Sequence, residues 1–402
     1  MKVGSMSANV KYILRFAFAL VLAAVPTPWS QAQSLSIVHA FSGGSDGANP
    51  LAGLAITAGG NLYGTTSAGG PSSAGTVFKI TGKGTELVLH SFTGGADGAN
   101  PQASPIMDAL GNLYGTTLAG GASGAGTVFR ITKKGKETVL YSFTGSTDGA
   151  SPVAALTMDK LGNLYGTTTA GGATGNGTVF RLSPSKKKAG KWTEKVLYSF
   201  GQGSDGATPV AGVTLDAKHN LYGTTSAGGS YRNGTVFQLQ RSKSGWTENI
   251  LYNFQGGNDG SVPYAGVILD HSGNLYGGAT GGGTGAGGTI FELTPSNGSW
   301  TFSVLYNIPG WSLSGPFRNL MMDAAGNLYG TTHCDGNYES GTVYELTPSG
   351  GTWTYTSLYV FTGSNDGRFA YSNLVLDKQG NLYGTTGYGG VDGDGVVFQI
   401  KP

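Results

Sequence analysis

The tetrapeptide Asn-Leu-Tyr-Gly occurs seven times in this chain, and this repetition constrains the fold more than any other feature. Successive copies begin 51 to 57 residues apart, at Asn61, Asn112, Asn163, Asn220, Asn274, Asn327 and Asn381. Short apolar runs separated by glycine-rich turns fill each interval. A unit of about fifty residues with short strands, repeated seven times, is typical of a ring of β-sheet blades. We therefore predict an all-β, seven-bladed β-propeller.

Each unit contains four strand-like runs, labelled a to d, which in the third unit are residues 152–159, 162–168, 177–182 and 194–200. In run c, Thr178, Phe180 and Leu182 alternate with Val179 and Arg181, as in a strand with a better-buried and a more exposed face. The a-to-b turn reads Asp-x-x-Gly-Asn, where glycine suits a positive φ, but His219 replaces it once. The glycine of each Asn-Leu-Tyr-Gly predicts close packing by a neighbouring blade.

The two ends of the repeat region carry complementary fragments. The region begins with a lone strand d at residues 35–41 and stops after a strand c at residues 395–400. Because an unpaired edge strand invites aggregation, we expect these fragments to pair. The prediction is four antiparallel strands per blade and 28 in all, with the last blade closed by the N-terminal strand (3+1).

The first 32 residues resemble a cleaved secretory signal peptide. Lys11 and Arg15 precede an apolar run over residues 16–25, and a small-residue site follows at Ser30-Gln31-Ala32. A membrane anchor is the alternative, but the run is far shorter than the roughly 20 residues that a spanning helix needs. We expect a secreted or periplasmic protein with no membrane span after cleavage, residues 33–402 forming one propeller domain.

Charge and cysteine content exclude some classes of function. Three of the 24 basic residues precede residue 33, which leaves 21 against 22 acidic residues and a net charge of −1. This balance gives no electrostatic basis for binding nucleic acid. Cys334 is the only cysteine, so packing rather than an internal disulfide must stabilise the chain. We expect a monomer without a cofactor.

The units share GNLYGTT, an AGG stretch, GTVF and then SF-x-G-G-x-D-G-A-x-P. In this they resemble the bacterial tandem repeat called GloVer, found in exported "choice-of-anchor" proteins, over nearly all of residues 35–400. The resemblance implies no established activity. Members carry varied C-terminal anchoring signals, whereas this sequence stops at Pro402 directly after its last strand. We therefore expect free secretion or a periplasmic location rather than surface anchoring.

Recurring polar residues offer few candidates for chemistry. An Asp-Gly pair recurs in six d-to-a loops, where a turn is favoured over a ring of cation ligands because each loop offers one acid. Only Asp392 and Asp394 in the last b-to-c loop approach the spacing of a metal site. His333 is the one histidine that the repeat does not explain. Four tryptophans (Trp192, Trp246, Trp300 and Trp353) begin strand d in the longer units, which favours packing over sugar stacking.

Units six and seven depart most from the repeat, and positions that break a repeat are candidates for function. Arg318 falls in a strand-a column that otherwise holds alanine or serine (Ala52, Ala103, Ala154, Ala211, Ala265 and Ser372). Because d-to-a and b-to-c loops emerge on one face of a propeller, the departures should converge at the channel mouth. Drift of a relaxed terminal repeat is the alternative. The candidate ligand-binding residues are Trp311, Arg318, Asn319, His333, Asp335, Tyr338, Glu339, Arg368, Tyr371 and Tyr388, with Phe317, Phe369, Tyr231, Arg232 and Tyr264 as further departures.

Three functions remain open. The favoured one is a non-enzymatic module that binds a glycan or a protein on this face, with aromatic rings for stacking and Arg318 as a fork of donors. The enzyme alternative is a polysaccharide lyase or hydrolase in which Arg318 neutralises charge and Tyr338 or His333 acts as base. The third is a structural component of the cell surface or matrix.

Overall fold

The computed structural model describes Met1 and residues 33–401, except for 189, 202, 203 and 312. The predicted signal peptide therefore lies, apart from Met1, outside the described residues. Seven antiparallel four-stranded sheets follow one another along the chain, and the described residues contain no helix. The described residues therefore include no helix that could cross a membrane. The predicted seven-bladed β-propeller is confirmed.

The first described strand, β1 (Ser34–Ala40), belongs to the last blade. The next three blades each run in chain order from strand a to strand d. Blade one contains β2 (Ala55–Ile56), β3 (Leu62–Thr66), β4 (Thr76–Ile80) and β5 (Glu86–Ser91). Blade two contains β6 (Ile106–Met107), β7 (Leu113–Thr117), β8 (Thr127–Ile131) and β9 (Glu137–Ser142). Blade three contains β10 (Thr157–Met158), β11 (Leu164–Thr168), β12 (Thr178–Pro184) and β13 (Trp192–Ser199).

Blade four is preceded by an additional short strand, β14 (Gly206–Ala207), and contains another, β17 (Ala227–Gly228). These two pair with each other, which brings the described strands to 30 rather than 28. The blade itself consists of β15 (Thr214–Leu215), β16 (Leu221–Thr225), β18 (Thr235–Ser242) and β19 (Gly245–Asn253). Blade five consists of β20 (Ile268–Leu269), β21 (Leu275–Ala279), β22 (Ala286–Ser296) and β23 (Ser299–Pro309). Blade six consists of β24 (Met321–Met322), β25 (Leu328–Thr331), β26 (Thr342–Ser349) and β27 (Thr352–Val360).

Blade seven is completed by the N-terminal strand, as predicted. Its other strands are β28 (Val375–Leu376), β29 (Leu382–Thr386) and β30 (Val396–Lys401). Strand β1 pairs antiparallel with β30, with Ser34 opposite Lys401 and Ala40 opposite Val396. Phe41 then packs edge-to-face on Phe78 of blade one, with ring centroids 5.1 Å apart. One strand thus finishes the last blade and joins it to the first.

The inner strand of each blade is shorter than predicted. In blade three only Thr157 and Met158 form ladder pairs, although residues 152–159 were predicted as strand a. The preceding segment makes contacts with the neighbouring blade instead, because the Ala154 carbonyl accepts a hydrogen bond from Thr116 Oγ1 (3.2 Å). Six blade junctions share this bond, made by Thr65, Thr116, Thr167, Thr224, Thr331 and Thr385.

The core lies between adjacent blades. At six junctions a phenylalanine that ends strand d packs edge-to-face on the strand-c phenylalanine of the next blade, with centroids 5.1 to 5.4 Å apart. The outer tryptophans add to this packing, since Trp192 meets Tyr114 of the preceding blade at 6.3 Å. The packing role predicted for the tryptophans and for the tyrosine of the repeat is confirmed.

The glycine that ends each Asn-Leu-Tyr-Gly faces an aromatic ring of its own blade. Gly166 lies opposite Phe180 in the β11–β12 ladder, and a Cβ there would sit 2.6 Å from Phe180 Cζ. The equivalent glycines meet Phe78, Phe129, Phe237, Phe291, Tyr344 and Phe398. The prediction that this glycine marks close approach of a neighbouring blade is therefore wrong. It leaves room for the ring that reaches the core between blades.

The other residues of the repeat hold the a-to-b turn. Asp108 Oδ1 accepts hydrogen bonds from the backbone amides of Leu110 and Asn112, and Oδ2 accepts from the Tyr114 hydroxyl at 3.1 Å. These bonds favour the ionised carboxylate and hold the Asp108 pKa below its ordinary value, although burial opposes the shift. The tetrapeptide is therefore a fold determinant.

His219 has the left-handed backbone predicted from its position. Its φ is 65°, while the six glycines at the same place have φ between 76° and 92°. A side chain in this region costs on the order of 1 kcal/mol. We expect His219→Gly to raise the free energy of unfolding by up to about 1 kcal/mol, measured by urea denaturation. His271→Gly, in the blade-five turn but outside the positive-φ region, should give no gain. Equal or lower stability of His219→Gly would contradict this account.

Four strand-d glutamates make stability depend on pH. Burial and a nearby aspartate raise the pKa of Glu86, Glu137, Glu194 and Glu248 to about 7, from an ordinary value of 4.5. The unfolded carboxyl therefore loses its proton at lower pH than the folded one, so each glutamate lowers stability as pH rises from 4.5 to 7.

Glu194 isolates this effect because the strand-d residue beside it in the preceding blade is Tyr141. A histidine at that position would itself titrate in the same pH range. We expect Glu194→Gln to leave the urea midpoint nearly unchanged at pH 5 and to raise it at pH 8. The difference between the urea midpoints of the wild type and the variant should grow progressively from pH 5 to pH 8. A difference that is constant with pH would show that Glu194 does not retain its proton in the fold.

Candidate functional site

Seven side chains, one from each blade, surround a basin at the mouth of the central channel. Each comes from the position immediately before the alanine column, where the chain enters strand a. They are Leu51, Gln102, Val153, Val210, Tyr264, Phe317 and Tyr371. Thr169, Thr208, Arg318 and Tyr388 complete the lining of a cavity of about 440 Å³. The basin lies on the d-to-a and b-to-c loop face, where the sequence placed the candidate site.

The wall of the basin has two chemically different halves. Blades five to seven contribute Tyr264, Phe317 and Tyr371, with the first two stacked at 5.0 Å and the last two edge-to-face at 5.5 Å. Blades one to four contribute the aliphatic and amide side chains. A ligand in the basin therefore meets flat aromatic surface on one side only.

Arg318 forms the floor of the basin. Its side chain starts in blade six and crosses the channel, where Nε donates to the Tyr371 carbonyl at 3.1 Å. Nη2 donates to the carbonyls of Leu51 (3.2 Å) and Gln102 (3.3 Å), in blades one and two. Arg318 also lines a second cavity of about 360 Å³ deeper in the channel. The guanidinium therefore separates the two cavities.

The charge of Arg318 has no acidic partner among the described residues. Burial lowers its pKa to about 10, which still leaves it protonated at neutral pH. Nη1 donates to no described residue and remains in contact with solvent. A largely buried cation without a counter-ion attracts anions, and its planar donors suit carboxylate or phosphate oxygens.

The junction between blades five and six lacks two of the contacts that recur at the other junctions. Gly278 replaces the threonine that binds the next blade, and a Cβ there would collide with Pro316. Asn319 makes a substitute bond, since its Oδ1 accepts from the Gly266 amide at 2.8 Å. Ile308 also replaces the phenylalanine that ends strand d at the other junctions. Arg318 thus occurs beside a junction where two repeated contacts are absent, and Asn319 adds a hydrogen bond between the two blades.

His333 packs behind the aromatic wall. Its ring lies 4.5 Å from both Phe369 and Tyr371 and 4.9 Å from Phe317, centroid to centroid. Neither imidazole nitrogen has a hydrogen-bond partner among the described residues. Burial lowers the His333 pKa to about 4, so the ring is neutral at neutral pH. It supports the wall and is not part of the basin lining.

The rim of the basin carries the blade-seven residues. Tyr388 lines the cavity with 44% of its surface exposed, and its backbone pairs with Arg368. The Arg368 guanidinium lies 4.3 Å from the Phe369 ring centroid and is exposed. A second cation therefore stands near the mouth.

Several predicted site residues lie away from the basin lining. Trp311 and Tyr338 are exposed (72% and 59%). Glu339 lies in an exposed turn at φ 49°. Asp335 is buried and bonded to Thr332 Oγ1, and burial raises its pKa. The structure therefore groups Arg318, Tyr371 and Tyr388 in the basin and gives Asp335 and Asn319 structural contacts.

The structure brings no further ligand residues to the metal site predicted at Asp392 and Asp394. Asp392 is exposed, and no group of three or more His, Cys, Asp or Glu side chains in the described part of the chain could hold a metal ion. The recurring Asp-Gly loops are turns, as favoured. Asp148, for example, accepts from the Thr144 amide at 2.8 Å and the Tyr141 hydroxyl at 2.9 Å.

Sequence reasoning missed the aliphatic half of the basin. Leu51, Gln102, Val153 and Val210 do not break the repeat, so a search for departures passes over them. Their position in the repeat could have identified them, because each stands one residue before the alanine column that Arg318 interrupts.

The solved structures similar to this chain have low sequence identity to it. The extracellular domain described as part of a one-component system from B. thetaiotaomicron superposes with a TM-score of 0.58 at 9% identity, over 91% of this chain and 40% of that one. A protein described as a candidate 6-phosphogluconolactonase from Bacteroides uniformis gives 0.51 at 14% identity, over 83% and 88%. Such likenesses show the fold alone. No curated protein matches the chain.

The repeat itself is recognised by a family model. The model described as the Gloeobacter/Verrucomicrobia repeat matches residues 27–237 and 214–402, which together cover all seven blades. This match confirms the resemblance drawn from the repeated motifs. The chain belongs to the Gloeobacter/Verrucomicrobia repeat family.

Proposed function

We propose that this protein is an exported binding module that takes an acidic glycan into the basin above Arg318. The observation that carries the proposal is the Arg318 guanidinium, held by three backbone carbonyls, without an acidic partner in the described chain and with Nη1 free. A carboxylate on the ligand supplies the missing negative charge. The predicted signal peptide supports an exported location.

The aromatic half of the wall supports a sugar as the rest of the ligand. Tyr264, Phe317 and Tyr371 offer ring faces and edges against which the C–H face of a sugar packs, and Gln102 offers an amide for hydroxyl groups. The basin volume lies toward the lower end of the roughly 300–1,000 Å³ typical of ligand pockets. It therefore suits one or two rings.

Binding is favoured over catalysis because the described residues that line the basin include no histidine or carboxylate. Burial raises the pKa of Tyr371 to about 12, so its phenol stays protonated at neutral pH. His333 lies behind the wall, and Tyr338 is outside the lining. The lyase or hydrolase alternative lacks a base beside Arg318.

Two exposed tyrosines on the same face provide a matched test. Tyr388 lines the basin and Tyr338 does not. Because both side chains are exposed, neither substitution should disturb the core. By titration calorimetry with digalacturonic acid, we expect Tyr388→Ala to weaken binding about 2- to 10-fold and Tyr338→Ala to leave it unchanged. Arg318→Met, with folding checked by thermal denaturation, should abolish binding.

The ligand class is tested by two further probes. The neutral disaccharide of galactose should bind much more weakly than digalacturonic acid, because it lacks the carboxylate. Equal binding of the neutral sugar, or undiminished binding by folded Arg318→Met, would overturn the role of Arg318. Benzoate bound in preference to every sugar acid would overturn the assignment to glycans.

A further inference from the structure

We infer that the basin takes the terminal ring of an acidic glycan end-on and does not bind a stretch along the chain. This inference rests on the proposed function and specifies which part of the glycan the basin recognises. Three features of the basin carry it: a floor that Arg318 crosses, a wall with one side chain from every blade, and a mouth on the loop face.

One side chain crosses the channel at the floor of the basin. Arg318 starts in blade six and is bonded to carbonyls in blades seven, one and two, so it spans the channel rather than lining one side of it. Those bonds use the Nε hydrogen and both Nη2 hydrogens, which leaves Nη1 without a partner among the described residues. On the side of blades six, seven, one and two, a chain cannot pass this level without breaking the Arg318 bonds.

The wall encloses the ligand because every blade contributes one side chain to it. Leu51, Gln102, Val153 and Val210 stand across the channel from the three aromatic rings. A cleft that binds the middle of a polymer needs two open ends through which the chain enters and leaves. This ring has none, so a glycan threaded along its length would contact only the rim.

A terminal ring placed in the basin satisfies both ends of the site. Its carboxylate reaches Arg318 Nη1 at the floor, and one face of the ring lies against Phe317 or Tyr371. The next ring then leaves through the mouth, past the exposed Tyr388 and the Arg368 guanidinium. Arg368 is therefore placed to meet a second acidic ring.

A length series of galacturonic acid oligomers tests this geometry. Galacturonic acid and its di-, tetra- and octamer should each bind one molecule per protein, with the dissociation constant per chain levelling off by the dimer. Per uronate residue, a chain of about ten rings should then compete roughly fivefold less well than the dimer, because each chain has only one end of each kind. Arg368→Ala should weaken the dimer and leave the monomer unchanged.

The outcomes separate this inference from the function on which it rests. If affinity per chain keeps rising to the octamer, and the monomer and dimer do not bind, the end-on geometry is wrong while acidic-glycan binding stands. If no oligomer of any length binds, both are wrong. A plateau by the dimer, abolished in folded Arg318→Met, supports both.

Discussion

A chain that begins at Phe41, and so lacks β1, is expected to lose the cooperative unfolding of the closed ring. Six residue pairs join β1 to β30, and Leu35 and Val38 pack into the clusters on either side of blade seven. Their ladder bonds and apolar burial contribute on the order of 5 kcal/mol, comparable with the whole stability of many domains. Thermal denaturation should show a broad transition or one at much lower temperature.

The matched control is a chain that begins at Gln33, which removes only the predicted signal peptide and should melt as the full propeller does. A synthetic peptide of residues 33–40, added to the truncated chain, should restore the transition by occupying the free edge of β30. Unchanged melting of the truncated chain would show that β1 does not close the ring.

Tyr344→Phe is expected to raise the free energy of unfolding by about 1 to 3 kcal/mol. Tyr344 is fully buried, and its hydroxyl has no hydrogen-bond partner among the described residues. The other blades carry phenylalanine in this column, facing the same glycine. Removing the hydroxyl therefore removes an uncompensated desolvation cost without leaving a cavity larger than one oxygen atom.

Tyr355→Phe is the control for this substitution. Tyr355 belongs to the same blade and stacks on Tyr306 at 4.2 Å, but its hydroxyl is not among the buried, unpaired atoms. We expect its effect on the urea midpoint to be small. A loss of stability in Tyr344→Phe would mean that a bound water satisfies the hydroxyl in solution.

The fold was predictable because its determinants recur in every unit. The seven tetrapeptides predicted the blade number, and the lone strand d before the first unit predicted the closure of the last blade. The shortness of strand a was not predictable, since it depends on threonines such as Thr116 bonding to carbonyls of the next blade. The partner of Gly166 was also missed, because the facing ring of Phe180 lies in the same blade.

The sequence predicted the loop face that carries the basin and three of the residues that line it, while their role in binding stays a prediction. Arg318 was identifiable because it interrupts a column of small residues, and Tyr371 and Tyr388 because they break the repeat. Trp311 breaks the repeat as well, yet it is exposed outside the basin lining. A departure from the repeat therefore marks a candidate, while the direction of its side chain depends on the loop that carries it.

The most direct test of the account is a crystal structure of the protein with digalacturonic acid bound. We expect the carboxylate of one terminal ring within hydrogen-bond distance of Arg318 Nη1, that ring against Phe317 or Tyr371, and the second ring at the mouth beside Tyr388. Ligand density on the surface around Trp311 and Tyr338, with the basin above Arg318 empty, would contradict it.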